Sequence, residues 1–263
     1  MSILLVGTGH WGKVYMETFA KYFPREQLEI GTRQNWKSKI DERPDGVIVC
    51  TPPNSHVEIA LHALQQDIPV MIEKPLALSL KDCERLQGFK ACILVNHIHL
   101  FSQGYQHLKR ILGSEEIDSI ETFGLGPNLH DYSKLWDYGP HDLSMILDLL
   151  GKDPIKVKCQ KPNHYHVTMD FDNKNQTRTI SSIGKGFVKM RKIVLHFSGL
   201  DLVYDDIYRP STHTPPLTNA IQTFIDALDG KLDSRLGLDL SLRVVKILEQ
   251  CDMSLRQINF LVL

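Results

Sequence analysis

The segment Ile3-Leu4-Leu5-Val6-Gly7-Thr8-Gly9-His10-Trp11-Gly12 constrains this chain more than any other. An apolar strand runs without a spacer into G-x-G-x-x-G, and His10 to Tyr22 then carries the period of an amphipathic helix. Strand, glycine turn and helix in that order read as the first βα unit of a parallel sheet. Gly7 would permit the tight turn, Gly9 would let a pyrophosphate approach the backbone, and Gly12 would let the helix pack close to the strand with its N-terminus on the phosphates. The reading is a dinucleotide site. The plainer alternative, a glycine-rich turn that binds nothing, uses the same residues.

The alternation continues through the first hundred residues. Leu28 to Thr32, Val47 to Cys50, Val70 to Glu73 and Cys92 to Asn96 read as strands. Between them, Val57, Ala60, Leu61 and Leu64 make a helical stripe, and Ser79 to Gln87 reads as a helix opened by a capping box of Ser79 and Asp82. Little room is left between Arg33 and Val47, so that crossover is expected to be abbreviated. The pattern predicts an α/β fold with a doubly wound, Rossmann-type parallel sheet over residues 1–97.

Beyond residue 97 the pattern changes. A helix over Gln103 to Leu112 and a strand over Ile117 to Phe123 lead into a polar, Gly- and Pro-containing stretch that reaches Asp137. Leu143, Ile146, Leu147 and Leu150 mark a helix, with Pro140 in its first turn and Gly151 at its C-terminus. Five strand-like runs follow with no helix between them: Ile155 to Gln160, Tyr165 to Phe171, Thr177 to Ile183, Met190 to Phe197 and Asp201 to Tyr204. Two late helices cover Leu217 to Leu228 and Leu240 to Leu255. Residues 98–263 are therefore expected to form an α+β domain on a mostly antiparallel open sheet, with a cleft between the two domains.

Charge and cysteine usage exclude several classes. The 263 residues carry 30 basic against 31 acidic side chains, which leaves no long-range field to gather nucleic acid or anionic lipid. No apolar run approaches the ~20 residues of a membrane span, and the N-terminal strand lacks the basic leader of a signal sequence. A soluble, cytoplasmic protein is expected. The five cysteines are scattered without a C-x-x-C pair, as reduced thiols would be. His97 with His99, and His164 with His166, share strand faces but lack further ligands nearby, so no metal site is expected.

Cofactor choice rests on the end of the second strand. A dinucleotide site normally places an acid there to accept from the adenosine ribose, whereas this chain reads Ile30-Gly31-Thr32-Arg33. With no carboxylate to repel a 2′-phosphate and a guanidinium able to pair with it, Thr32 and Arg33 favour NADP over NAD. Arg33 as a solvated loop residue is the alternative.

Two more segments sharpen the reading: Val47-Ile48-Val49-Cys50-Thr51-Pro52-Pro53-Asn54-Ser55-His56 and Val70-Met71-Ile72-Glu73-Lys74-Pro75-Leu76-Ala77. With the glycine loop, in this order and spacing, they resemble the glucose–fructose oxidoreductase / inositol dehydrogenase / rhizopine catabolism (Gfo/Idh/MocA) family. Leu135-Trp136-Asp137-Tyr138-Gly139-Pro140-His141-Asp142 is similar to that family's second-domain active-site motif, and the sequence from Pro216-Leu217 is similar to its C-terminal helices. The resemblance implies a Rossmann domain followed by an α/β domain whose large sheet serves dimer or tetramer contacts. It implies that Thr51, Pro52, Asn54 and His56 line the nicotinamide side of the cofactor site, with Glu73 and Lys74 at the end of their strand. It implies further that Lys74 stands beside nicotinamide and substrate, that the Lys74-Pro75 bond is often cis, and that Asp137 and His141 complete the catalytic group.

The residue chemistry fits those roles. Histidine titrates near neutral pH, so His141 could accept a substrate proton. Lys74 could hold a developing alkoxide, and Asp137 could orient either one. The chain departs from the family in carrying Ser144 where many members have an acid, with Asp142 two residues earlier. It also lacks the arginine commonly found within Val95 to Ser102, and it is short. The expected function is an NAD(P)-dependent oxidoreductase acting on a secondary alcohol or ketone of a sugar, cyclitol or sugar nucleotide. The alternatives are a dinucleotide-binding sensor without catalysis, and an enzyme that uses the nicotinamide only transiently.

Overall fold

A computed structural model describes residues 1–127, 132–161, 163–206 and 213–260, with side chains up to residue 257. The chain divides into two compact units, Met1–Phe101 with Thr214–Leu242, and Ser102–His213 with Arg243–Leu263.

In the first unit the strands β1 (Ser2–Val6), β2 (Gln27–Gly31), β3 (Gly46–Val49), β4 (Val70–Glu73) and β5 (Ile93–Asn96) form one sheet in the order β2-β1-β3-β4-β5, all parallel. Every residue of β3, β4 and β5 is buried, as in a sheet covered on both faces, which is why these strands read as unbroken apolar runs. The helices are α1 (His10–Tyr22), α2 (Trp36–Asp41), α3 (His56–Leu64) and α4 (Leu80–Glu84). The short α2 is the abbreviated crossover that the spacing required. Ser79 caps α4 as expected, accepting from Asp82 N at 3.1 Å, although the helix stops at Glu84.

The segment Thr214–Leu242, expected in the second domain, packs with the first unit. Its helix α7 (Pro216–Leu228) sets Phe224 against Gly46, and Asn219 Nδ2 donates to Phe101 O at 2.9 Å. Gly237 N donates to Ile93 O on the outer edge of β5 at 2.7 Å. His97 Nε2 and Ser241 Oγ are 2.8 Å apart. Apolar periodicity marks α7 as a helix but does not say which sheet it covers.

The second unit holds α5 (Gln103–Leu112), β6 (Ser119–Gly126), α6 (Lys134–Leu150), β7 (Lys156–Gln160), β8 (Tyr165–Asp170), β9 (Arg178–Lys185), β10 (Met190–Phe197) and β11 (Leu200–Asp205). The last helix, α8 (Asp239–Phe260), begins in the first unit and continues in the second. The six strands run β11-β10-β6-β9-β8-β7, antiparallel except for the β6–β9 pair. Burial alternates along β6 and β8, so one face is covered, and α6 packs on β6 and β9. The fold class is the one expected.

One element differs. α6 begins at Lys134, six residues before Pro140, so Asp137 lies in its first turn and His141 is mid-helix. Gly139-Pro140 suggested a helix start; the helix instead includes Pro140 and forgoes the one N–H that proline lacks. Its earlier residues Leu135, Trp136 and Tyr138 are buried, and an ion pair of Lys134 with Asp137 bridges its first turn.

Candidate functional site

In the first unit the residues singled out from sequence stand at the carboxyl ends of the strands. Sheet order reverses at β1, with β2 on one side and β3 on the other, which in open α/β sheets places the ligand crevice beyond those ends. Gly7 has φ +117°, and a Cβ there would come within 2.8 Å of Cys50 O. A Cβ on Gly12 would lie 2.2 Å from Gly7 O. The chain itself requires both glycines.

Gly9 is different. Its φ is −68°, and a Cβ there would meet nothing within 4 Å. Gly9 supplies α1 with no side-chain cap, and the first turn of α1 has no acid, so the positive end of the helix dipole is left uncompensated by the helix's own side chains. Thr8 and His10 are exposed and Trp11 half-buried, the last two rings meeting edge-on with centroids 6.1 Å apart. The geometry fits an anionic group.

Beyond β2, Asn35 Oδ1 accepts from Thr32 N at 2.7 Å and from Thr32 Oγ1 at 2.9 Å, which folds the turn that leaves Arg33 exposed. A cleft of about 530 Å³ is lined by Arg33, Gln34, Trp36, Lys37, Asn54, Ser55, Glu58 and Ile59. It joins the end of β2 to the turn after β3. In that turn Ser55 Oγ lies 2.8 Å from both Thr51 Oγ1 and Pro52 O. His56, expected to line the site, is buried, with Nε2 2.7 Å from Thr51 O and Nδ1 3.0 Å from Pro75 O. Burial lowers its imidazole from the ordinary histidine value, opposed by the hydrogen bonds to the Thr51 and Pro75 carbonyls, and the ring spans the two loops.

Glu73 ends β4 and Lys74 follows it, both buried, and the Lys74-Pro75 bond is cis. The Glu73 carboxylate is enclosed: Oε1 accepts from Tyr15 Oη at 2.7 Å and Asn96 Nδ2 at 2.6 Å, and Oε2 accepts from Lys74 N at 3.2 Å. Burial lifts this carboxyl above the usual range, opposed by Tyr15, Asn96 and the charge of Lys74. Tyr15 and Asn96 were not singled out from sequence. Tyr15 reads as one more apolar position of α1, while Asn96 faces Glu73 only because β4 and β5 pair in register.

In the second unit, Asp137 and His141 lie one turn apart on α6, both buried. Lys134 Nζ is 2.8 Å from Asp137 Oδ2, a pairing that the sequence reading did not contain. Asp142 is turned inward onto Arg191 at 2.6 Å, the two side chains 0% and 1% exposed, and Ser144 Oγ donates to His141 O at 3.0 Å. Asp142 and Ser144 thus serve packing and the helix. Among the described residues no group of three His, Cys, Asp or Glu could hold a metal ion, all five cysteines are free, and no helix is long and apolar enough to cross a membrane.

Fold and site define a class: a dinucleotide-type α/β unit joined to a unit built on an open mixed sheet. Residues 32–91 match the model of the oxidoreductase family with an NAD-binding Rossmann fold, Gfo/Idh/MocA. Inositol 2-dehydrogenase 2 of Saccharopolyspora erythraea is 28% identical over 134 residues, 46% of this chain and 40% of that protein. An uncharacterised oxidoreductase of Streptococcus pneumoniae serotype 4 is 30% identical over 219 residues, 65% of this chain and 59% of that one. The matches therefore span about 40 to 59% of these curated relatives. The structure of scyllo-inositol dehydrogenase from Lactobacillus casei, with bound NAD(H) and scyllo-inositol, superposes with a TM-score of 0.85 over 98% of this chain and 97% of that one at 15% identity. Over residues 32–91 the chain thus resembles the Gfo/Idh/MocA oxidoreductases, and over its length it shares the fold of the Lactobacillus casei structure.

Proposed function

We propose that the protein is a nicotinamide-dependent oxidoreductase that prefers NADP to NAD and acts on a secondary alcohol or ketone of a sugar, cyclitol or sugar nucleotide. The observation that carries this reading is the open space at Gly9 in front of an uncapped helix, where neighbouring glycines are filled by the chain itself. The relatives named for inositol oxidation support the substrate class.

The bound nicotinamide supplies the hydride chemistry; the protein holds, orients and moves one proton. In this reading Gly7, Thr8, Gly9, His10, Trp11 and Gly12 form the pyrophosphate loop, and Thr32 with Arg33 recognises the 2′-phosphate. Thr51, Pro52 and Asn54 line the nicotinamide side, while His56 acts through the carbonyls it clamps. Glu73 acts through Lys74, whose ammonium holds the developing alkoxide. His141 takes the proton of the substrate hydroxyl, and Asp137 orients the proton-handling groups. The open face of the second sheet, where Ile180 is 41% and Val203 52% exposed, supports a homodimer or homotetramer.

Fluorescence titration with NADPH and NADH, then a polyol and sugar-nucleotide screen at the nicotinamide absorbance band, tests the reading, with light scattering of the same sample for the assembly. NADPH should bind more tightly, Arg33→Ala should weaken NADPH ~10-fold or more with little effect on NADH, and Lys74→Ala should abolish turnover. If neither cofactor binds at millimolar concentration, the reading fails. Equal loss of both cofactors in Arg33→Ala would remove the 2′-phosphate assignment, and binding without turnover in the parent protein would favour the sensor. A 30.0 kDa monomer would remove the oligomer.

A further inference from the structure

Three basic side chains stand between the end of β2 and the end of α2, and the fold commits only one of them. The Lys39 ammonium lies 3.0 Å from Glu29 Oε2 and 2.9 Å from Glu42 Oε2. Arg33 and Lys37 instead line the cleft beyond β2. Among the described residues Arg33 has no hydrogen bond or ion pair. Lys37 Nζ reaches Glu58 Oε1 of α3, which lines the same cleft, at 3.6 Å and lies 5.2 Å from the centroid of the Trp36 ring. Asp41, one turn further along α2, is already engaged by α3: its Oδ1 lies 2.8 Å from His62 Nε2 and accepts from Gln66 Nε2 at 2.9 Å. Glu58 is therefore the counter-ion that the fold leaves to Lys37.

That pair is easily exchanged. Its side chains are 61% and 68% exposed, and an ion pair so open to water is among the weakest ionic contacts a protein makes. A phosphate monoester offers the same ammonium charge-assisted hydrogen bonds and, at neutral pH, about 1.5 to 2 negative charges against the one of Glu58. The phosphate is the stronger partner. Beside the charges, half-buried Trp36, whose ring meets His62 edge-on with centroids 5.5 Å apart, and buried Ile59 give the cleft an apolar wall. An apolar wall next to two cations fits a purine nucleoside that carries a phosphate.

We propose that Lys37 joins Arg33 in binding the 2′-phosphate of the cofactor, and that Glu58 is a specificity-determining residue which holds Lys37 until the phosphate takes it. This role rests on the NADP reading above and adds an opposing charge to it. After the exchange the Glu58 carboxylate stays near the phosphate, so it works against a 2′-phosphorylated ligand and leaves one with a free 2′-hydroxyl untouched. Glu58 thus keeps the preference for NADP below what Arg33 and Lys37 would give alone.

Isothermal titration calorimetry with 2′-phospho-ADP-ribose and ADP-ribose, which carry the adenosine end without the nicotinamide, tests this without turnover. Lys37 and Glu58 are exposed, so variants at either position should fold as the parent does. Glu58→Gln should tighten 2′-phospho-ADP-ribose by about 3- to 10-fold, the size of a like-charge contact ~7 Å away in water, and leave ADP-ribose within about 2-fold. Lys37→Gln should weaken the phosphorylated ligand about 5-fold or more, and in that background Glu58→Gln should gain less than it does alone. The same gain in both backgrounds overturns the pairing of Glu58 with Lys37. Unchanged affinity for 2′-phospho-ADP-ribose in Glu58→Gln, in a protein that prefers this ligand and binds it weakly as Arg33→Ala, overturns the proposal and leaves the NADP reading standing. Weaker ADP-ribose binding in Glu58→Gln also overturns it, by showing that the acid holds the ribose hydroxyls. A parent protein that binds both ligands equally, or neither, sinks the NADP reading and this one with it.

Discussion

Two of the three G-x-G runs in the chain, Gly7-Thr8-Gly9 after β1 and Gly124-Leu125-Gly126 at the end of β6, meet opposite surroundings. A Cβ on Gly124 would stand 2.6 Å from Asp142 Oδ2 and 2.7 Å from Arg191 Nη1, and one on Gly126 would stand 2.2 Å from Tyr138 Oη. Those glycines make room for the protein's own side chains. The buried Arg191–Asp142 pair and Tyr138, whose ring lies under the Arg191 guanidinium at 4.7 Å and the Lys134 ammonium at 4.5 Å, fill the space they leave. Gly7 and Gly12 behave likewise toward backbone, but Gly9 leaves its space empty. Spacing alone does not separate a ligand-facing glycine from a packing glycine; what a methyl group would strike does.

Alanine at each position breaks or sharpens that comparison. Gly124→Ala should be the most damaging to stability, because the new methyl separates a fully buried ion pair, and stranding such charges costs about 3–5 kcal/mol. Chemical denaturation followed by circular dichroism measures it. A loss below ~1 kcal/mol would mean that the pair can move aside and that β6 needs no glycine there. Gly12→Ala comes next: overpacking costs about 1–3 kcal/mol, and up to ~1 kcal/mol is offset by the better helix propensity of alanine. Unchanged stability in the same assay would refute the close packing of α1 on the first loop.

Legibility followed sequence distance. The glycine loop, the Thr51–His56 turn and Glu73-Lys74 are contiguous, and each was visible because strand, turn and helix signals sit side by side. The α2 crossover was legible from spacing alone. The supporting partners were not: Tyr15 lies 58 positions from Glu73, and Arg191 lies 49 from Asp142. Such pairs exist only once strand register is set, and no local pattern distinguishes Asn96 from any other polar residue at a strand end. The start of α6 was hidden for a different reason. Gly139-Pro140 is ordinarily a boundary, but burial of Leu135, Trp136 and Tyr138 carries the helix through it. α7 was recognised as a helix and assigned to the wrong neighbours because periodicity carries no information about tertiary partner.

Gly9→Ala has the smallest expected effect on stability and the most direct bearing on the central claim. Its φ of −68° suits alanine and its Cβ meets nothing, so stability should stay within about ±0.5 kcal/mol of the parent. Affinity for NADPH, measured by fluorescence titration of the folded variant, should nevertheless fall ~10-fold or more, because the methyl occupies the space assigned to the pyrophosphate. An affinity equal to the parent's, in a protein of equal stability, would contradict the assignment of this loop to the cofactor.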